Sequence, residues 1–176
     1  MITLFKKTLP IMLFQNSVEE NILVVSSNNL QFSLTCLKKH IGYNYNMLTY
    51  VAGLDLYGLL YRFCVVYDLL SLTYNTRIRV KVYLTETGSV DSITNIYLNA
   101  NWWEREIWDL LGIYFENHPD LRRILTDYGF EGFPLRKDFP LYGYVELRYD
   151  ETKKNIVVEP IELSQNFRFF EFETPW

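Results

Sequence analysis

Apolar and polar positions in the first half of the chain follow patterns that predict strands and one helix. Residues 22–25 are rich in β-branched side chains, which favour a short strand. Apolar side chains then recur at helical spacing, at Leu30, Leu34, Leu37 and Ile41. Ser27 or Asn28 can cap the start of this helix, and Gly42 suits the position after its end.

The next three segments predict a meander of strands. Residues 47–56 and 59–72 are joined around Gly58. In the second segment alternate apolar side chains face one side, namely Tyr61, Phe63, Val65, Tyr67 and Leu69. A turn at Tyr74 and Asn75 precedes the third strand. Its apolar residues alternate with basic ones, Ile78, Val80 and Val82 against Arg77, Arg79 and Lys81, so we expect a half-buried strand with a basic outer face.

The second half begins with helical spacing and continues as a loop. From about Ser92 the apolar positions are Ile93, Ile96, Tyr97, Trp103, Ile107, Leu110 and Leu111. Gly112 suits the end of this helix. Residues 115–140 contain prolines and glycines at intervals, which predict a long ordered loop. Residues 144–149 and 156–163 predict a hairpin.

These elements predict an α+β fold in two layers. A mixed or antiparallel sheet with packed helices is followed by a long ordered loop, a hairpin and an extended aromatic C-terminal tail. Residues 1–141 are expected to form the core domain, including the second helix and its loop. Residues 142–176 are expected to form the hairpin and a partner-docking tail, because the sequence NFRFFEFETPW is too aromatic for a solvated end.

Composition narrows the classes of function. The chain has 176 residues, 49% of them apolar, and a net charge of −4, which argues against a protein devoted to nucleic acid. Cys36 and Cys64 are the only cysteines and form no CxxC pair, so cysteine cannot supply a four-ligand zinc or iron–sulfur site. We therefore expect a reducing compartment and no metal brought by this chain.

The N-terminal sequence and the apolar runs predict neither a targeting segment nor a membrane span. No apolar stretch reaches the roughly 18 residues that span a bilayer. The N-terminal sequence MITLFKKTLPIMLF lacks the long, arginine-rich and serine-rich character of a transit peptide, and we interpret it as an ordinary mature terminus. Alanine occurs only twice, whereas residues with A/T-rich codons are abundant, which indicates a compositionally biased genome.

The densest pattern of charges lies in residues 101–141. On a helical wheel Glu104 and Glu106 fall on the two borders of the apolar stripe, while Arg105 and Asp109 fall on the opposite face and can pair locally. Border carboxylates need partners. The nearest cations are Arg122, Arg123, Arg136 and Lys137. We favour a helix fixed to its following loop by ion pairs over acid–base catalysis, which would need a nucleophile or a metal.

His118 and Asp120 allow two interpretations. A histidine two residues from an aspartate can act as an oriented general base. Pro119 between them favours a turn instead, with Asp120 capping a short helix through Leu125. No serine or cysteine accompanies the pair, so the turn is the preferred interpretation. The glycines of GFEG are not followed by lysine and serine, and therefore form no phosphate-binding loop.

The order of residues in this block carries a family resemblance. The residues concerned are Glu104 to Glu106, Asp109 to Gly112, Phe115, His118 to Leu125, Gly132, and Pro134 to Asp138. This run resembles the NADH dehydrogenase subunit 9 family, the 30-kilodalton-type core subunit of respiratory complex I (NADH:ubiquinone oxidoreductase). The resemblance continues into the aromatic tail, and it is looser upstream.

The resemblance implies a subunit without electron carriers of its own. FMN, the iron–sulfur clusters and ubiquinone would be bound by partner subunits. The chain would lie in the peripheral arm, against the 49-kilodalton-type subunit and other peripheral-arm subunits, near the terminal cluster and the quinone cavity. It would reach the membrane only through the complex, at the matrix side of the mitochondrial inner membrane, and be encoded in the mitochondrial genome.

The resemblance also implies roles for particular residues, none of them catalytic. A structural and interface network would comprise Glu104, Arg105, Glu106, Asp109, His118, Asp120, Arg122, Arg123, Arg136, Lys137 and Asp138. The docking tail would use Phe167, Phe169, Phe170, Phe172 and Trp176, with Arg168 and Glu171 at the rim.

Two alternatives remain at this point. A stand-alone RNA-binding or anion-binding protein would use Arg77, Arg79 and Lys81 beside aromatic side chains. A related membrane hydrogenase or a photosynthetic-type NADH-dehydrogenase-like complex would use a homologous subunit.

Overall fold

The protein is described from a computed structural model, which covers residues 8–16, 21–162 and 166–174. The chain divides into two compact units, Met1–Lys137 and Asp138–Trp176. No helix in the covered residues is long and apolar enough to cross a membrane.

A five-stranded sheet forms the frame of the first unit. Its strands are β1 (Ile11–Asn16), β2 (Asn21–Val25), β3 (Met47–Asp55), β4 (Phe63–Ser71) and β5 (Thr76–Leu84). They lie in the order β1-β2-β5-β4-β3, with β2 parallel to β5 and the other neighbours antiparallel. The predicted α+β class with a mixed sheet is confirmed. The meander of β3, β4 and β5 is also confirmed, whereas β1 was not predicted.

The fourth strand begins later than the apolar pattern predicts. Residues 56–62 form a loop, closed by the N–H of Leu56 donating to the carbonyl of Arg62 at 2.6 Å. Tyr61, predicted on the buried face, is 53% exposed. The cause is the ion pair between Arg62 and Asp55 at 3.1 Å, which is buried and fastens the two ends of the loop together.

The first helix, α1 (Leu30–Lys39), follows a 3₁₀ turn at Ser27–Asn29. Neither Ser27 nor Asn28 caps it through its side chain, so that prediction is wrong. The helix ends at Lys39, because His40 is extended with φ −72° and ψ 126°. Gly42 therefore does not end the helix, and Ile41, predicted on its apolar stripe, is 88% exposed.

The second helix, α2 (Ala100–Leu111), begins about eight residues after the predicted start. Residues 92–99 form turns instead. Ile93 and Tyr97 are nonetheless buried, at 0% and 4% exposure, so their helical spacing results from turns that face the core. Gly112 ends the helix in the left-handed conformation with φ +75°, as predicted.

A short parallel pair, β6 (Ser89–Asp91) and β7 (Tyr114–Glu116), was not predicted. The second strand of this pair follows directly after Gly112 and places Phe115, which is 1% exposed, in the core. Beyond it the chain is a long loop to Lys137. The predicted short helix from Asp120 to Leu125 is absent from this described stretch, where the backbone is irregular.

The core of the first unit lies on one face of the sheet. It takes one set of alternate side chains from the strands, including Leu23, Val65 and Val80, together with the apolar faces of both helices. Helix α2 packs directly on β3, since a side chain at Gly53 would meet Leu111 and Ile107. This packing places the C-terminal end of α2 next to the long loop.

The second unit contains the predicted hairpin, formed by β8 (Val145–Asp150) and β9 (Asn155–Pro160). One face of the hairpin is apolar and exposed: Val145, Leu147, Tyr149, Ile156 and Val158. The other face carries the ion pair between Arg148 and Glu159 at 2.7 Å. Leu163, the predicted end of the second strand, lies outside the described residues.

The phenylalanines of the tail are exposed. They are Phe167, Phe169, Phe170 and Phe172, at 60%, 75%, 56% and 89%. Trp176 lies outside the described residues.

Candidate functional site

The carboxylate of Asp109 organises the loop that follows α2. It is buried and accepts hydrogen bonds from the backbone N–H groups of Ile124, Leu125 and Thr126 at 3.1, 2.8 and 2.9 Å. The Thr126 hydroxyl donates to it at 2.6 Å, and Nη1 of Arg123 lies 3.1 Å from Oδ1. Burial alone would raise the pKa of Asp109, but the hydrogen bonds from Thr126, Leu125 and Ile124 outweigh it and hold the pKa at about 2.

The predicted local pair between Asp109 and Arg105 is therefore wrong. Arg105 instead donates from Nε to the carbonyl of Arg122 at 3.1 Å and from Nη2 to that of Arg123 at 3.4 Å. A helical wheel assumes solvent on its polar side, whereas here the loop folds back over that side of α2. The helix is thus held to the loop by side chains that bind backbone groups.

Arg123 and Arg136 extend the same network. Nη1 of Arg123 donates to the carbonyl of Gly132 at 3.0 Å, and its guanidinium carbon lies 5.2 Å from the centre of the Phe133 ring. Arg136 donates from Nε to the carbonyl of Leu111 at 2.7 Å, which satisfies an acceptor at the end of α2. Its guanidinium carbon lies 4.6 Å from the centre of the same Phe133 ring.

Glu104 occupies a second, separate site on α2. Its carboxylate is fully buried and accepts hydrogen bonds from the Ser92 hydroxyl at 2.6 Å and the Ile93 N–H at 2.8 Å. The prediction that arginines of the loop supply its partner is wrong. Burial raises the pKa of Glu104 from 4.5 to about 7, while the hydrogen bonds from Ile93 and Ser92 lower it in part.

His118 faces Glu104 from the loop. Its Nδ1 accepts the N–H of Asp120 at 3.1 Å, so Nε2 carries the proton and donates to the carbonyl of Asn101 at 3.2 Å. The distance from Nε2 to the Glu104 carboxylate is 3.7 Å. Burial lowers the pKa of His118. A neutral imidazole with both nitrogens occupied fixes the turn at Pro119 and has no nitrogen left to act as a base.

We expect the free energy of unfolding to report the protonation of Glu104. Its pKa is raised on folding, so this group stabilises the protein below pH 4.5, and that contribution is lost as the pH rises to about 7. As the pH rises from 5 to 8, the free energy of unfolding of the Glu104→Gln variant should increase by about 2 kcal/mol relative to that of the unsubstituted chain. A shift of one pKa unit is worth about 1.4 kcal/mol. Urea unfolding at several pH values measures this difference.

Comparing the Glu104→Gln variant with the unsubstituted chain separates the contribution of Glu104 to the free energy of unfolding from that of His118. The lowered pKa of His118 makes stability rise with pH towards 6.5, which is the opposite sign, but this term is present in both chains. Glu106→Gln is the control, because Glu106 is on the same helix, lies outside the buried site and is partly exposed. A pH-independent difference for Glu104→Gln, or an equal one for Glu106→Gln, would contradict the assignment.

The remaining predicted residues lie outside these two clusters. Arg122 pairs with Asp120 at 3.0 Å, and both side chains are well exposed. Glu106 lines a shallow groove on α2 and β3. The Lys137 N–H donates to Asp55 at 2.9 Å, and Asp138 is an exposed residue at the start of the second unit.

Three residues of the network were not predicted, namely Asp55, Arg62 and Ser92. Asp55 is buried and binds both Arg62 and the loop, at the Lys137 N–H. Ser92 holds Glu104 and is 1% exposed. Asp55 ends a strand and precedes Arg62 by seven positions, which gave a weak signal that the two could pair across a loop. For Ser92 there was no signal, because its partner lies on a different element.

The arrangement of these side chains is typical of a structural network and not of a reaction centre. Its charged side chains bind backbone groups of their own chain. Within the described ranges, no group of three or more histidine, cysteine, aspartate or glutamate side chains could hold a metal ion. Cys36 is partly buried and Cys64 is buried, and both are free thiols.

Comparison with known proteins gives a consistent result. Residues 23–145 match the sequence model of the family described as "Respiratory-chain NADH dehydrogenase, 30 Kd subunit". The chain is 52% identical over 140 residues to NADH-ubiquinone oxidoreductase subunit 9 of Prototheca wickerhamii, covering 80% of this chain and 73% of that protein. It is 54% identical over 146 residues to NADH dehydrogenase [ubiquinone] iron-sulfur protein 3 of Arabidopsis thaliana, covering 82% and 77%.

A bacterial relative and a solved structure complete the comparison. An NADH-quinone oxidoreductase subunit of Paramagnetospirillum magneticum is 51% identical over 161 residues, covering 92% of this chain and 81% of the relative. A chain in the structure of the membrane-bound sulfane sulfur reductase, an archaeal respiratory membrane complex, superposes with a TM-score of 0.68 at 20% identity, covering 80% and 83% of the two chains. At that identity the match concerns the fold alone.

Proposed function

Since the chain belongs to the family of the 30 kDa subunit of respiratory-chain NADH dehydrogenase, we propose that it is the scaffold subunit that holds the catalytic partner of the peripheral arm in shape. It is a subunit of NADH:ubiquinone oxidoreductase, complex I, and associates with other subunits of that complex. The finer proposal is that its main partner is the 49-kilodalton-type subunit, near the terminal cluster and the quinone cavity.

The contacts that charged side chains make inside the first unit support the proposal that this chain is a scaffold. Asp109, Arg105, Arg123 and Arg136 bind the backbone of the loop or of α2, which makes this region stiff. Electron transfer from an iron–sulfur cluster to a quinone depends on the distance between the two and on the polarity of their surroundings. A rigid neighbouring subunit that fixes both therefore contributes without carrying an electron. We propose that these residues act by positioning and not by catalysis.

We propose that FMN, the iron–sulfur clusters and ubiquinone are bound by partner subunits. The name of the Arabidopsis relative includes the words iron-sulfur protein. In this chain, however, Cys36 packs against the core from α1, whereas Cys64 lies on β4 outside that core cluster. Two thiols on different faces of the sheet do not form a four-ligand site.

The proposed location follows from the same membership. The algal and plant relatives support a mitochondrial complex, and we propose the matrix side of the inner membrane, with attachment only through the complex. We further propose that the gene lies in the mitochondrial genome, in keeping with its composition.

Purification in mild detergent tests the function. The chain should co-purify with a flavin that NADH reduces and with NADH:quinone activity, and mass spectrometry should identify a 49-kilodalton-type subunit among its partners. A nickel centre in the purified material would instead support a hydrogenase-like complex. Isolation of the chain alone, with RNA bound in a salt-dependent manner, would contradict the proposal.

Removal of the aromatic tail should impair assembly and leave the fold of the first unit intact. The exposed phenylalanines from Phe167 to Phe172 offer apolar surface that needs a partner. A chain truncated after Asn166 should enter the complex at least fivefold less, measured by native gel, while its unfolding midpoint in urea is unchanged. Replacing Lys153 and Lys154 in the exposed hairpin turn by serine is the control. Normal incorporation of the truncated chain would contradict a docking tail.

A further inference from the structure

The five-stranded sheet has a second face, on the side away from the core. Strand residues alternate between faces, and the core cluster includes Val65, Tyr67, Val80 and Val82 but not their neighbours Cys64 and Val66. We call this second surface the open face and define it by Tyr50, Leu54, Arg77, Arg79, Lys81 and Tyr83. The apolar faces of both helices belong to the core cluster on the other side, and α2 borders the open face only along β3, where Tyr50 shares a groove with Trp103 and Glu106.

A row of cations runs along the open face on β5. The middle one, Arg79, is engaged by Asp68 of β4 through Nε at 2.7 Å and Nη2 at 2.9 Å. Arg77 and Lys81, on either side of it, form no salt bridge within the described residues. They are four residues apart on one strand, which places them about 13 Å from each other. Among the described residues, the face therefore presents two cations without a carboxylate partner, Arg77 and Lys81, with a neutral pair between them.

Apolar and aromatic side chains flank this row. Tyr50, Leu54 and Tyr83 are 36%, 45% and 40% exposed. Thr49 and Tyr50 of β3 also form a shallow cleft with Arg77 and Arg79. Tyrosine and arginine around a partly apolar centre are the residues that protein interfaces favour over the remaining surface.

We propose that the open face binds an acidic, partly apolar segment of another subunit in the same complex. Charge complementarity determines the partner: two carboxylates four residues apart in an extended segment match the separation of Arg77 and Lys81. Asp68 in the middle of the row and the net charge of −4 disfavour a phosphate backbone, which needs a continuous basic surface. The inference depends on the proposed function, because it places a partner at a defined surface of the complex.

Site-specific crosslinking in the assembled complex tests the inference. The full chain, with benzoylphenylalanine in place of Tyr83, replaces the host's own subunit in a bacterium, and the purified complex is irradiated. We expect one crosslinked protein segment, in which aspartate and glutamate exceed lysine and arginine. Adding Arg77→Glu should reduce the crosslink at least tenfold, whereas Lys39→Glu, an equal charge change at the exposed end of α1, should leave it unchanged.

The outcomes separate the two proposals. If the unsubstituted chain fails to enter a complex that oxidises NADH, the proposed function and this inference are both overturned. If it enters normally but residue 83 gives no crosslink, a crosslink to a neutral or basic segment, or a product sensitive to ribonuclease, only the inference is overturned. Equal effects of Arg77→Glu and Lys39→Glu would also overturn it, since charge at the open face would then not matter.

Discussion

Replacing Asp109 by asparagine should lower the free energy of unfolding at pH 7 by about 3 kcal/mol. The variant keeps the shape of the side chain but loses its negative charge, which is buried and receives three backbone N–H groups and the Thr126 hydroxyl. Removing one partner of a buried ion pair typically costs about 3–5 kcal/mol. We expect the lower end, because the Arg123 side chain is 31% exposed and water can compensate in part.

The dependence on pH provides a second measurement of the same group. The pKa of Asp109 is depressed to about 2, so its contribution is present above the ordinary pKa near 4 and is lost as the pH falls towards 2. Urea unfolding between pH 2 and pH 7 should therefore show the two chains converging in acid. Asp120→Asn is the control, because Asp120 pairs with Arg122 on the surface, where such pairs contribute about 0–1 kcal/mol. Equal losses for both variants would contradict a special role for Asp109.

The loop held by Asp109 shows why part of the site escaped prediction. The pattern at Asp120 to Leu125 suggested a helix that satisfies its own backbone donors. In the structure three of those donors are satisfied by a carboxylate about fifteen residues earlier, on another element. A partner at that distance leaves no periodic signal in the sequence. The same reason explains why Ser92 and Ile93 were not predicted as the hydrogen-bond donors to the Glu104 carboxylate.

Elements with a strong local pattern were predicted well. The alternation of Ile78, Val80 and Val82 with basic residues correctly predicts both β5 and its outer basic face. The hairpin and the long loop were also predicted, although the first residues of the loop belong to β7 and β9 ends at Pro160, before the predicted end of that strand. Both helices were predicted too long. Before α2 the apolar spacing continues into turns that bury Ile93 and Tyr97, whereas after α1 the residue that continues the spacing, Ile41, is exposed. Burial alone does not distinguish a helix from a turn that faces the core.

Replacing Gly112 by alanine should lower the free energy of unfolding by about 3 kcal/mol. Two effects combine at this position. The residue is left-handed with φ +75°, which costs a side chain about 1–2 kcal/mol. A Cβ atom there would also lie 2.7 Å from Nη2 of Arg136 and from two carbon atoms of the Phe133 ring. Displacing packed groups of this kind adds about 1–3 kcal/mol.

Gly129→Ala separates the two effects. Gly129 has nearly the same backbone conformation, φ +72°, but no atom lies within 4 Å of the position that a Cβ would take there. This variant should lose only the backbone part, about 1 kcal/mol. Urea unfolding followed by tryptophan fluorescence measures both, since Trp108 packs against the Phe133 ring at 5.9 Å. A larger loss for Gly112→Ala means that Arg136, which holds the end of α2 through the Leu111 carbonyl, needs the space that glycine leaves. Equal losses would show that the loop moves aside without cost, and that the scaffold is less rigid there than the proposed function requires.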